Sequence, residues 1–89
     1  MARFNKAKVV STALSTGLVP VFYNACPEIS KAVLKACYDG GIRVFEFTNR
    51  GDFAHEVFAE LVKYAAAELP EMIVGAGSVI DAPTAALYI

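Results

Sequence analysis

Apolar residues recur along this chain with two periods in alternation, helical and extended, and Gly and Pro punctuate the changes. Over 3 to 15, Phe4, Ala7, Val10 and Leu14 fall on one side of a helix that Gly17 stops. Leu18-Val19-Pro20-Val21-Phe22-Tyr23 is a short apolar run that predicts a buried strand, with an edge or an irregularity at Pro20, which brings no N–H to a ladder. Pro27 suits a first helical position, and Ile29, Ala32, Val33, Ala36 and Cys37 form one apolar stripe before Gly40-Gly41 ends the helix. A second strand is predicted over 42–48. Gly51-Asp52 then supplies turn and N-cap for a helix striped by Ala54, Val57, Phe58, Leu61 and Ala65 and closed by Pro70. Met72-Ile73-Val74-Gly75-Ala76 predicts a third strand, Gly77-Ser78 its exit, and Asp81-Ala82-Pro83 the cap and first turn of a further helix.

Strands starting near 18, 42 and 72, each pair bridged by a one-faced helix, imply parallel βαβ crossovers of right-handed sense. The class is α/β. Doubly wound sheets and (β/α)8 barrels both use this unit, so the periodicity alone leaves both open. A nucleotide-binding doubly wound fold places GxGxxG after its first strand, and Tyr23-Asn24-Ala25-Cys26-Pro27 contains no glycine. Gly75-Ala76-Gly77-Ser78 follows the third strand instead, readable as a weak phosphate cradle or as a tight exit that lets backbone approach closely.

Size changes the picture. Residues 1–89 make one domain at most, and a hydrophobic share of 56% is high for so short a chain. A domain of this size buries only about 60 to 65% of its unfolded surface, so further chain or partner subunits are expected to cover the excess. With a formal net charge of −1 and dispersed lysines, no nucleic-acid footprint is expected. No run reaches the roughly 18 apolar residues of a membrane span and the first residues lack a signal-peptide core, so the expected location is cytoplasmic. Cys26 and Cys37 lie outside CxxC or metal spacing and are expected as semi-buried thiols, although Cys26 at a helix start is where a thiolate is favoured.

Candidate chemistry concentrates in Arg43-Val44-Phe45-Glu46-Phe47-Thr48-Asn49-Arg50. Strand alternation puts Val44, Glu46 and Thr48 on one face and Arg43, Phe45 and Phe47 on the other, with Arg50 continuing the first parity. Glu46 and Arg50 are thus expected together at the C-terminal end of a strand, where ligands bind in parallel α/β folds. Burial favours the protonated form of a carboxyl group and a neighbouring guanidinium the ionised form, so either acid/base work or a structural ion pair fits. Arg50 alternatively suits bidentate binding of a substrate carboxylate, with the Ser78 hydroxyl beside it. His55 is expected as a solvated helix residue, and Phe45, Phe47, Phe53 and Phe58 as packing between strand and helix. None of the five lysines, Lys6, Lys8, Lys31, Lys35 and Lys63, falls at a predicted strand end.

Gly17-Leu18-Val19-Pro20-Val21, Gly40 through Thr48, Arg50, and Ile73-Val74-Gly75-Ala76-Gly77-Ser78-Val79 together, in this order and spacing, resemble the N-terminal part of the KDPG/KHG aldolases. These are class I enzymes acting on 2-keto-3-deoxy-6-phosphogluconate and 4-hydroxy-2-oxoglutarate. The resemblance implies the first three βα units of a (β/α)8 TIM barrel preceded by an N-terminal helix. It also implies a homotrimer, and a lysine Schiff base with pyruvate that needs no metal or other cofactor. It places the acid/base glutamate on Glu46, the carboxylate-binding arginine on Arg50, and the threonine after the GAG turn on Ser78. The substrate would be a keto acid and the products pyruvate and an aldehyde. The Schiff-base lysine and the phosphate-binding glycine turns belong to later strands, so the segment alone is expected to be inactive. Asn49 and Gly51 depart from the commoner residues beside that arginine. From another class, the competing expectation is a non-catalytic βα assembly or binding module completed by other chains.

Overall fold

The computed structural model describes residues 3–89. Its elements run α1 (Lys6–Thr16), β1 (Val21–Phe22), α2 (Pro27–Asp39), β2 (Val44–Thr48), α3 (Ala54–Glu68), β3 (Ile73–Gly77) and α4 (Ala82–Leu87). The three strands form one parallel sheet in sequential order β1-β2-β3, with Val21 opposite Glu46, Val44 opposite Ile73, and Thr48 opposite Gly77. A mixed α/β fold of alternating βα units is therefore present.

β2 organises the molecule. Its Phe45 and Phe47 are fully buried beneath α2 and α3, in a core with Leu34, Ala54, Val57, Phe58, Leu61, Ala65, Leu69 and Met72. All five apolar positions expected of α3 lie in this core, because a 3.6-residue period over four turns fixes one face. Both crossover helices thus cover the Phe45/Phe47 face, and Val44, Glu46 and Thr48 occupy the other. At the N-terminal end of that other face Val44 and Ile73 are buried, and α1 packs against β2. Arg3 ties the start of the chain to the α3–β3 connection by donating from Nη2 to the Pro70 carbonyl at 2.9 Å.

Four sequence expectations are corrected. β1 spans two residues rather than 18–23: Pro20 has no N–H, and its carbonyl accepts from Glu46 N at 2.9 Å as the pairing begins. The buried stripe of α2 is Ser30 and Leu34, flanked by Val33 and Cys37, whereas Ile29 is half exposed. Ser30 escapes an apolar count because it is polar, yet its hydroxyl is satisfied by donating to the Asn24 carbonyl at 3.2 Å. α3 is preceded by Phe53 in a left-handed conformation (φ 59°) with no side-chain cap, so Asp52 does not cap it, and Phe53 is exposed rather than packed. On α1, capped by Asn5 and stopped by left-handed Gly17, Val10 and Leu14 remain exposed, and the helix buries no residue fully.

Candidate functional site

Glu46 stands in the middle strand on the face without crossover helices, half-buried, in a row with Val21 and Gly75. Its carboxylate does not lie along that row. It leans diagonally toward the strand ends and rests against Gly77, where an added methyl group would coincide with Oε2 and Cδ of Glu46. Glycine on β3 is thus what lets the carboxylate lie flat on the sheet at its C-terminal edge. Gly75-Ala76-Gly77-Ser78 accordingly acts as a close-approach exit, and what approaches is Glu46.

Thr48 shares this face, one pair further along, opposite Gly77. It is 3% exposed, and its Oγ1 is buried with no hydrogen-bond partner. The strand alternation stops there. Asn49 N donates to Gly77 O at 2.8 Å, extending the ladder by one bond, and Arg50 N then donates back to Thr48 O at 2.9 Å in a tight turn. Parity consequently places Glu46 and Thr48 but does not place Arg50, which emerges exposed from the turn. No ion pair joins Arg50 to Glu46 among the described residues; the ion pairs are Lys31 with Glu28 and Glu60, Lys35 with Asp39, and Arg43 with Glu71. Ser78 follows Gly77 directly, exposed and left-handed (φ 58°).

Two residues at this edge, Tyr23 and Tyr88, carry no role in the sequence analysis, and Asn49 enters it only as a departure beside Arg50. Tyr88, ending α4, donates its phenol to Asn49 Oδ1 at 2.7 Å, and Asn49 Nδ2 donates to Ser78 O at a long 3.5 Å. Burial raises the Tyr88 pKa, with the nearby Tyr23 adding to the shift, so the phenol stays a donor through the neutral range. Tyr23 packs on Phe47 with ring centroids 5.5 Å apart, and its hydroxyl covers Gly51, where a side chain would collide with it. Glycine immediately after Arg50 is the one sequence signal that pointed to this contact.

Other candidates lie elsewhere. Arg43, on the opposite face from Glu46, has its guanidinium 3.8 Å from the centre of the Tyr38 ring and donates to the Tyr38 and Ile42 carbonyls. His55 is half-buried between Phe53 and Tyr88 rather than freely solvated. Cys26 and Cys37 are semi-buried free thiols. Lys6 and Lys8 lie on α1, Lys31 and Lys35 on α2, and Lys63 on α3. Among the described residues no three His, Cys, Asp or Glu side chains gather as a metal site, and no helix is long and apolar enough to cross a membrane.

The edge thus carries a carboxylate resting on the sheet, with Arg50 and Ser78 just past the ends of two adjacent strands and the Asn49–Tyr88 hydrogen bond next to them. Such a set suits holding a small carboxylate and moving a proton next to it. No family model and no curated protein sequence matches the chain.

Proposed function

We propose that these residues form the N-terminal part of a class I, pyruvate-dependent aldolase of the KDPG/KHG type. Its three βα units then belong to a (β/α)8 barrel, working in the cytoplasm as a homo-oligomer, a trimer by the resemblance. The observation that carries the reading is the position of Glu46: a carboxylate on the sheet face opposite both crossover helices, resting on Gly77 at the C-terminal edge. In a doubly wound sheet that face is covered by helices, whereas in a barrel it faces the lumen, and reaction centres gather at this end. The sequential strand order with both crossover helices on one face suits a barrel wall.

In this reading Arg50 binds the pyruvate carboxylate through its guanidinium fork, and the Ser78 hydroxyl donates to the same group. Cleavage then uses Glu46 as base. Its carboxylate takes the proton from the C4 hydroxyl, the C3–C4 bond breaks, and the electron pair passes into the imine of the substrate's Schiff base while the aldehyde departs. The resulting carboxylic acid returns the proton to C3. The amine of that Schiff base comes from outside residues 1–89, since all five lysines here are on helices.

The test is borohydride trapping of pyruvate on the product of the gene's whole reading frame, mapped by mass spectrometry. A single reduced adduct on a lysine at a strand end is expected, with cleavage of the keto acid substrate strongly slowed in Glu46→Gln. Absence of any adduct overturns the reading and favours the non-catalytic βα module.

A further inference from the structure

Arg50 and Ser78 leave the sheet on different strands, and nothing in the backbone ladder beyond Asn49 N to Gly77 O holds those two exits at a fixed separation. Asn49 directly precedes Arg50 in sequence and lies against the exit of β3 in space. Its amide N–H closes the last rung, its Nδ2 reaches the Ser78 carbonyl, and its Oδ1 accepts from the Tyr88 phenol at 2.7 Å. Tyr88 is itself fixed, with its ring edge-on to Phe58 at 5.0 Å between centroids, and Phe58 belongs to the core. A chain of contacts therefore runs from the core, through Tyr88 and Asn49, to the backbone on either side of the edge.

We propose, on the aldolase reading above, that Asn49 and Tyr88 are positioning residues for carboxylate binding: their hydrogen bond sets the spacing between Arg50 and Ser78. The carboxamide is suited to this because it accepts from the phenol on one side and donates to the carbonyl on the other, which a hydrocarbon side chain cannot do. Ser78 adds a reason for the brace. A non-glycine residue at φ 58° is disfavoured, so its carbonyl keeps that orientation only while something holds it. Neither Asn49 nor Tyr88 touches the substrate in this arrangement.

The clean probe is Tyr88→Phe, which removes the donor and leaves the ring on Phe58; Asn49→Leu removes both contacts of the carboxamide. Pyruvate is titrated into the 15N-labelled product of the gene's whole reading frame, with Kd read from the Arg50 side-chain Nε–H and the Ser78 amide, and folding from the native peak intensities. Each variant is expected to raise Kd roughly three- to tenfold, the range one lost neutral hydrogen bond supports. Native intensities are retained, and the double variant is no weaker than the worse single one. Unchanged Kd in both variants, or independent additive losses, overturns the positioning role and leaves the aldolase reading standing. Loss of native peaks in Tyr88→Phe shows a structural brace instead and overturns it as well. A wild-type chain whose Arg50 and Ser78 signals ignore pyruvate overturns the aldolase reading, and this inference with it.

Discussion

The carboxylate of Glu46 rests on the backbone of Gly77, a residue of the neighbouring strand that is not its register partner. That diagonal lean turns a side chain in mid-strand into a group at the strand ends. It depends on glycine, because any Cβ at 77 occupies the place of the carboxylate.

Gly77→Ala is therefore expected to act on chemistry more than on stability. The atoms displaced are the end of a flexible side chain, and the φ of Gly77 lies outside the left-handed range, so alanine is tolerated by the backbone. The variant should unfold within about 1 kcal/mol of the parent, while in the whole-frame protein the Glu46-dependent proton transfer falls by one order of magnitude or more. Equal activity in the two proteins shows that the lean of Glu46 has no part in the reaction.

Helix α2 offers a test of the packing phase. Ser30 is fully buried and Ile29 is half exposed, the reverse of their hydropathies. Ile29→Lys is expected to change stability by less than about 0.5 kcal/mol, as surface substitutions do. Ser30→Lys forces a charge beneath β2 and should unfold the chain or cost more than about 3 kcal/mol. Urea denaturation followed by far-UV circular dichroism distinguishes the two, and the opposite ranking restores the stripe through Ile29.

Legibility followed the strength of each periodic signal. α3 was readable because five apolar residues repeat over its length, and Glu46 because alternation within β2 is rigid from Val44 to Thr48. α2 was misphased because a satisfied serine is invisible to a count of apolar residues. Parity does not extend to Arg50 because a three-residue turn, Thr48 to Arg50, ends the strand. The contact between Asn49 and Tyr88 is invisible in the sequence because it spans 39 positions and carries no local pattern.

Asp81 gives the α4 cap a pH dependence. Its side chain accepts from Thr84 N at 2.8 Å, and hydrogen bonding to the Thr84 hydroxyl, with this backbone bond adding to it, holds its pKa below the ordinary 3.8. A carboxylate with a lower folded than unfolded pKa stabilises the folded form above the unfolded value, and that contribution is lost as pH falls through the folded one. The Thr84 amide resonance should hold its position down to about pH 4 and shift below it. In Asp81→Asn, which still caps, that shift should vanish. An Asp81→Asn chain that titrates like the parent places the dependence on another group.

The lysines make a negative prediction. A Schiff-base amine must reach the carbonyl while unprotonated, and Lys35, for instance, pairs with Asp39 at 2.7 Å, a contact that raises its pKa and favours the charged form. Borohydride with pyruvate should leave the 89-residue chain unmodified by mass spectrometry. A specific adduct on any of Lys6, Lys8, Lys31, Lys35 or Lys63 refutes the proposed source of the amine.

The surface around β1 predicts self-association of the 89-residue chain. Val10 and Leu14 on α1, Leu18 and Val19 in the connection, and Val21 on β1 are all exposed, Leu14 by 79% and Val21 by 56%. β1 is also an edge strand, so one side of it presents backbone groups with no strand beside them. Covering one side chain of this size is worth about 1.5 to 3 kcal/mol when complete, and whole domains are stable by only about 5 to 15 kcal/mol. Partial coverage of five such side chains is therefore comparable with the stability of the fold itself. Charge does little to oppose contact, with a formal net charge of −1. Multi-angle light scattering should show species larger than a monomer at micromolar concentration. Val21→Lys should shift the distribution toward monomer, because a charge on an edge strand opposes pairing. A monodisperse monomer with cooperative unfolding shows that this apolar edge is stable in water as it stands.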